Sequence, residues 1–293
     1  MKLPEGEART ASGADGEVPY WAFGEGPAIL FAGGLGAGRP AFYPQVAHLA
    51  ARYRCLLWDY RGLYKDAPGA GAVRPVAEHA RDALAILEAE GTARAAMVGW
   101  SYGVPVALSL FDQAPDRASM LVLISGGARP SWGASPEAGR VRRLYPRVFD
   151  MLARSPRLLE SLVRAGGTAP EAYTWVRRVG LLGGELDHEA FAEVVRNLAR
   201  IDADAWLRMA QSMAEEDLSF VLPRVDVPAL VIGGDRDPFT SRAALERLVN
   251  NIAGSEYLLL PGATHYALLD HAQHVNLRIE KFFSERGYTN QAA

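Results

Sequence analysis

Short apolar runs alternate with longer amphipathic stretches along most of this 293-residue chain. Ala28-Ile29-Leu30-Phe31, Arg54 to Asp59, Ala95 to Val98, Leu121 to Ile124, Val227 to Gly233 and Tyr257 to Leu260 are brief and mostly apolar. That is the pattern of strands buried on both faces of a sheet. Between them, Pro75 to Glu90 sets Val76, Ala80, Ala83, Leu84 and Leu87 on one face of a helix, which Gly91 stops. Further helices are predicted around Phe42 to Ala51, over Val104 to Leu110, near Ser241 to Asn250 and near Ala272 to Glu285. At the start, Asp15-Gly16 is a turn signal before a strand at Val18 to Phe23, a β-hairpin that closes at Gly24-Glu25-Gly26-Pro27. Strand and helix alternating at this spacing specify the α/β class, a mostly parallel sheet with helices on both faces.

The alternation breaks after Gly127. From about Arg129 to Phe220 there is no good strand, only helical segments rich in Arg, Ala and Leu, and the rhythm resumes at Val227. The domain organisation expected is one α/β core built from residues 1–128 and 221–293, with a helical cap or lid inserted at residues 129–220 over the carboxyl edge of the sheet. Arg140, Arg142, Arg143 and Arg147 cluster early in the insertion and read as a solvated helix face, not a nucleic-acid patch. Trp132, Tyr145, Tyr173, Trp175 and Trp206 are candidates to line a pocket, with core packing as the competing role.

Composition removes several classes of partner. A net charge of −3 gives no reason to expect nucleic acid or an anionic membrane. Cys55 is the single cysteine, which rules out an intramolecular disulfide, and its place in Cys55-Leu56-Leu57-Trp58 predicts a buried, inert thiol. The N-terminal stretch carries Glu5 and Glu7 and lacks the apolar core of a secretory signal. The longest uncharged run, Ala95 to Phe111, contains glycines and Pro105, which argues against a membrane span. A soluble, cytoplasmic protein is expected, and the sequence leaves its oligomeric state open.

The chemistry concentrates at the ends of the strands. Gly99-Trp100-Ser101-Tyr102-Gly103 lies between an apolar run and an alanine-rich helix, the strand–turn–helix context of a nucleophile elbow. A serine at such a tip is strained, and the helix behind it directs free N–H groups at the place where an oxyanion would form. Pro105 fits the first turn of that helix. A serine nucleophile needs a base, and the base needs an orienting carboxylate. Gly234-Asp235-Arg236-Asp237-Pro238 follows one strand and Pro261-Gly262-Ala263-Thr264-His265 follows the next, in the chain order Ser, Asp, His. The carboxyl ends of parallel strands bring such loops together.

Ser101 is therefore the expected nucleophile, His265 the base and Asp237 the orienting acid, with Asp235 the alternative acid or a loop-fixing residue. Ser125-Gly126-Gly127 ends a neighbouring strand without a carboxylate. The expected oxyanion donors are the N–H of Tyr102 and that of Gly34, with Leu35 the neighbouring option, from the loop Ala32-Gly33-Gly34-Leu35-Gly36-Ala37-Gly38. His271 and His274 stand i, i+3 without a matching ligand set, so no metal and no cofactor is expected.

The stretches Gly33-Gly34-Leu35-Gly36, Asp59-Tyr60-Arg61-Gly62, Gly99 to Gly103, Gly233 to Pro238 and Gly262 to His265 together resemble the α/β-hydrolase family. The resemblance covers nearly the whole chain outside the insertion. It implies the family's fold, a cap in that place and a Ser-Asp-His triad acting on a small-molecule acyl substrate, a carboxylic ester first. Lactonase, thioesterase, aminopeptidase, C–C hydrolase and cofactor-free perhydrolase chemistry stay open, as does an acyltransferase or lyase using the same residues. The sequence departs from the family at Ala32, where a histidine that braces the oxyanion loop is common, and at Leu63-Tyr64, where His-Gly is common. Those departures are the case for the alternative from another class, a non-catalytic small-molecule-binding protein on the same scaffold.

Overall fold

Runs that are apolar at every position are stable only between two layers, and they form the centre of the sheet. The computed structural model describes residues 3–67, 69, 71–72, 74–129, 183 and 188–289. The strands are β1 Gly6–Gly13, β2 Gly16–Phe23, β3 Ala28–Ala32, β4 Arg54–Trp58, β5 Ala95–Trp100, β6 Ala118–Ile124, β7 Ala229–Gly234 and β8 Glu256–Leu260. They make one sheet in the order β1-β2-β4-β3-β5-β6-β7-β8. The β1–β2 and β2–β4 pairs are antiparallel and the remainder parallel. The helices are α1 Tyr43–Leu49, α2 Val76–Ala89, α3 Gly103–Gln113, α4 His188–Leu198, α5 Ala203–Glu215, α6 Arg242–Asn251, α7 Ala267–Asp270 and α8 Ala272–Ser284.

Alternate residues of each central strand serve opposite cores. Ile29, Phe31, Leu57, Val98 and Ile232 pack with Val46 of α1 and Phe282 and Phe283 of α8. Leu30, Leu56, Met97, Leu123 and Val231 face the other way, onto Ala83 of α2, Leu108 of α3 and Leu248 of α6. β3, β5 and β7 are buried along their whole length, whereas the edge strands are not. β1 is exposed at most positions, and β8, at the other edge, is half-buried over all but its last residue. Cys55 is buried, and burial pushes its thiol up, away from the reactive thiolate.

The register sets the site. Ala32 pairs with Gly99, Trp100 with Ile124, Ile124 with Ile232, and Gly234 with Leu260. The carboxyl ends of β3, β5, β6, β7 and β8 are thus level. β4 and β5 both flank β3, so the chain reverses its winding there, and a crevice opens at that point.

Between Arg129 and Phe220 the described residues contain α4 and α5 and no named strand. Residues 130–182 and 184–187 lie outside the described residues. The Arg140, Arg142, Arg143 and Arg147 cluster and Trp132, Tyr145, Tyr173 and Trp175 lie there too.

His79 of α2 is fully buried, with its ring 4.6 Å from that of Tyr60 and 5.9 Å from that of Tyr102. Among the described residues neither ring nitrogen has a hydrogen-bond partner. Burial first, then the Arg74 and Arg61 guanidiniums, lower its pKa from 6.5 to about 3. Below the unfolded value the unfolded chain binds a proton that the folded chain refuses. His79 therefore makes stability fall by about 1.4 kcal/mol per pH unit on acidification, until the folded value is reached. In His79→Leu this part of the slope is expected to vanish. Urea unfolding at neutral pH and about two units lower checks it, and equal slopes in the two proteins would contradict it.

Candidate active site

Ser101 occupies the turn between β5 and α3 with φ 55, a left-handed conformation that an L-residue adopts only under constraint. The constraint is visible. Its N–H donates to Ile124 O at 2.9 Å, and its carbonyl accepts from Val104 N–H at 3.0 Å. A Cβ at Gly99 would collide with the Gly103 carbonyl, and one at Gly103 with the Ala32 carbonyl, so both flanking glycines are required by close approach of backbone. The turn lifts the Ser101 hydroxyl out of the sheet at the head of α3.

His265 sits on the loop after β8. Its Nε2 lies 2.9 Å from Ser101 Oγ, and its Nδ1 lies 2.9 Å from Asp237 Oδ2 and 3.1 Å from Oδ1. With Asp237 ionised, the network assigns the imidazole proton to Nδ1 and leaves Nε2 to accept from Ser101. The Trp100 indole N–H donates to the His265 carbonyl at 2.9 Å, so the residue just before the serine also holds the histidine's backbone. Asp237, the third residue after β7, is only 2% exposed. Its Oδ1 also accepts from Phe239 N–H at 2.8 Å and Thr240 N–H at 2.9 Å. Two backbone donors and an imidazole N–H leave that carboxylate fixed and compensated.

Asp235 points elsewhere. Its Oδ1 accepts from Gly262 N–H at 2.6 Å, which ties the β7 loop to the β8 loop. Sequence reasoning missed Asp270, a buried carboxylate on α7. Its Oδ2 accepts from Thr264 N–H at 3.1 Å and Thr264 Oγ1 at 2.7 Å, holding the residue next to His265. Nothing in the local pattern distinguishes it from an ordinary helix aspartate.

A cavity of about 160 Å³ opens beside Ser101 and His265, walled by Leu35, Tyr102, Pro105, Trp206, Met213 and Phe239. The wall position on the glycine loop belongs to Leu35 and not to Gly34. The Cα of Gly34 packs on the Trp100 ring, where a Cβ would come within 2.7 Å. Of the aromatic pocket candidates, Trp206 lies on the wall. His271 pairs with Asp270 Oδ1 at 3.1 Å, its ring 6.0 Å from that of His274. Among the described residues no cluster of three metal-ligating side chains occurs. Nor, among them, is any helix long and apolar enough to cross a membrane.

Comparison with known proteins agrees with this geometry at the level of the fold. Residues 27–272 match the family described as alpha/beta hydrolase fold. The chain is 25% identical over 274 residues to 3-oxoadipate enol-lactonase 2 of Acinetobacter baylyi, a match covering 92% of this chain and 94% of that protein. It is 33% identical over 156 residues to the RutD protein of Azorhizobium caulinodans. That match covers 53% of this chain and 55% of the relative, so the chain spans about half the length of that protein. Among solved structures, a thermophilic esterase from Thermogutta terrifontis superposes with a TM-score of 0.73 at 22% identity, over 95% of this chain and 98% of that one.

Proposed function

The chain belongs to the alpha/beta hydrolase fold family, and from that premise we propose that it is a serine hydrolase cleaving a carboxylic ester or a related small acyl compound. One observation carries the reading. Ser101 Oγ lies 2.9 Å from His265 Nε2, and the far side of the same imidazole lies 2.9 Å from a buried carboxylate, at the edge of an apolar cavity.

In this reading His265 Nε2 takes the Ser101 proton as Oγ attacks the substrate carbonyl. Asp237 holds the tautomer and stabilises the imidazolium. The negative oxygen of the tetrahedral intermediate is held by the N–H of Tyr102 and an N–H of the glycine loop, that of Leu35 fitting the cavity wall better than that of Gly34. His265 then protonates the leaving alcohol, which departs and leaves an acyl group on Ser101. Water activated by the same nitrogen attacks the acyl-enzyme, and collapse of the second intermediate frees the acid and restores Ser101. The chemistry calls on side chains and backbone alone.

The enol-lactonase relative makes a cyclic ester a second candidate substrate. A purely binding protein has no use for a base within hydrogen-bond reach of a strained serine, so that alternative is the weaker. The test is to incubate the protein with p-nitrophenyl acetate, quench in acid and map the peptides by mass spectrometry. An acetyl group on Ser101 is expected, together with release of p-nitrophenol. Release without any acyl-Ser101, or no release at all, would overturn the reading.

A further inference from the structure

The loop that would hold the oxyanion is poorly suited to rigidity by its own composition. Gly33, Gly34, Gly36 and Gly38 give it wide conformational freedom in the unfolded chain. Nevertheless its carbonyls are pinned by side-chain donors. Tyr60 Oη donates to Gly33 O at 2.6 Å, Trp206 Nε1 to Leu35 O at 3.1 Å and Asn197 Nδ2 to Ala37 O at 3.2 Å. Asn197 Nδ2 also donates to Tyr64 Oη at 2.7 Å, and Arg200 Nη1 donates to Asn197 Oδ1 at 2.9 Å. Tyr60, Tyr64 and Asn197 are buried. Trp206 and Asn197 belong to α5 and α4, within the insertion. The approach is close: a Cβ on Gly36, whose φ is 101, would come within 2.8 Å of Ile201 and 3.1 Å of Trp206 Nε1.

A peptide unit is planar, so fixing a carbonyl fixes the N–H of the following residue with it. The Leu35 N–H belongs to the Gly34–Leu35 peptide, which lies between the pinned carbonyls of Gly33 and Leu35. The pinned peptides on either side hold the Cα atoms of Gly34 and Leu35 in place, so the freedom left to this N–H is a flip of its own peptide. Among the described residues it donates to no backbone carbonyl, which leaves it available to a ligand oxygen. We infer that Trp206 and Asn197, on the insertion, are positioning residues for the oxyanion hole, holding the Leu35 N–H toward the oxygen that the attack of Ser101 creates. The inference rests on the serine-hydrolase reading. The two departures from the family pattern join in it: Ala32 offers no bracing side chain, and Tyr64 meets Asn197 beneath the loop. The insertion is then part of the acyl-transfer machinery as well as a wall of the pocket.

Two conservative changes test it on the full-length protein. Trp206→Phe keeps an aromatic ring and removes the donor to Leu35. Asn197→Asp keeps the side-chain shape and the Arg200 contact and replaces the donor to Ala37 by an acceptor. With p-nitrophenyl acetate, each is expected to lower kcat about 10- to 100-fold with KM within about twofold. Phenylboronic acid, whose adduct with Ser101 places an oxygen in the hole, should lose affinity in proportion to kcat, with the melting temperature little changed. If one variant fails to fold, the other decides. An unchanged kcat, or a change confined to KM and melting temperature, would mean packing alone and overturn the inference while the hydrolase reading stands. Wild-type protein that forms no acyl-Ser101 would overturn both.

Discussion

Ser101→Ala is expected to lower kcat on an activated ester by about 10⁵-fold, with the melting temperature essentially unchanged. The size follows from the roles assigned to the residue. Without its oxygen no acyl-enzyme forms, and His265, Asp237 and the oxyanion donors can offer only the weak catalysis that positioning and electrostatics supply to a direct attack by water. The stability expectation follows from the backbone. Ser101 at φ 55 is already strained, alanine inherits the same strain, and the turn is fixed by Ser101 N–H to Ile124 O and Val104 N–H to Ser101 O, which the change leaves intact. Ser101→Gly should lose as much activity and raise the melting temperature, because only glycine adopts that φ freely. Steady-state kinetics with a thermal melt checks both, and a kcat for Ser101→Ala within tenfold of wild type would contradict the nucleophile assignment.

Asp237→Asn is expected to cost about 10⁴-fold in kcat, and Asp235→Asn no more than a few-fold. The difference lies in what each carboxylate faces. At residue 237 one oxygen is already committed to Phe239 N–H and Thr240 N–H. Asparagine must keep its carbonyl there and turn its NH₂ toward His265 Nδ1, which then has to accept. The ring proton moves to Nε2, and Ser101 loses its base. At residue 235 the side chain accepts, among the described residues, from Gly262 N–H, and an asparagine carbonyl accepts that bond equally well. Parallel kinetics on the two variants decide the matter, and the reverse ranking would make Asp235 the acid.

The parts of the fold legible in the sequence are those whose signal is local. β3, β5 and β7 are buried end to end and announce themselves as uninterrupted apolar runs. β1 does not, because an edge strand carrying Glu7, Arg9 and Thr10 has a polar surface and only its turn at Asp15-Gly16 is distinctive. Ser101, Asp237 and His265 could be nominated because each stands just past an apolar run, where a parallel sheet gathers loops. The run before His265 forms the half-buried edge strand β8 and not a strand buried on both faces. The choice between Gly34 and Leu35 depends on which of two adjacent residues packs against Trp100, and no pattern encodes that. The bonds of Tyr60, Asn197 and Trp206 to the glycine loop are silent in the sequence for the same reason. Trp206 is 171 residues from its acceptor, and Asn197 is 160 from its own. Hydrogen bonds between segments distant in sequence appear only once the chain has folded.

The measurement that tests the whole account most directly is labelling of the native protein with a fluorophosphonate probe, mapped by mass spectrometry, beside Ser101→Ala. Such a probe phosphonylates a serine only where a base and an oxyanion hole activate it. The expected result is one rapid adduct, on the peptide carrying Ser101, absent from the variant. Folded wild-type protein that stays unlabelled, or labels equally in Ser101→Ala, would contradict the account.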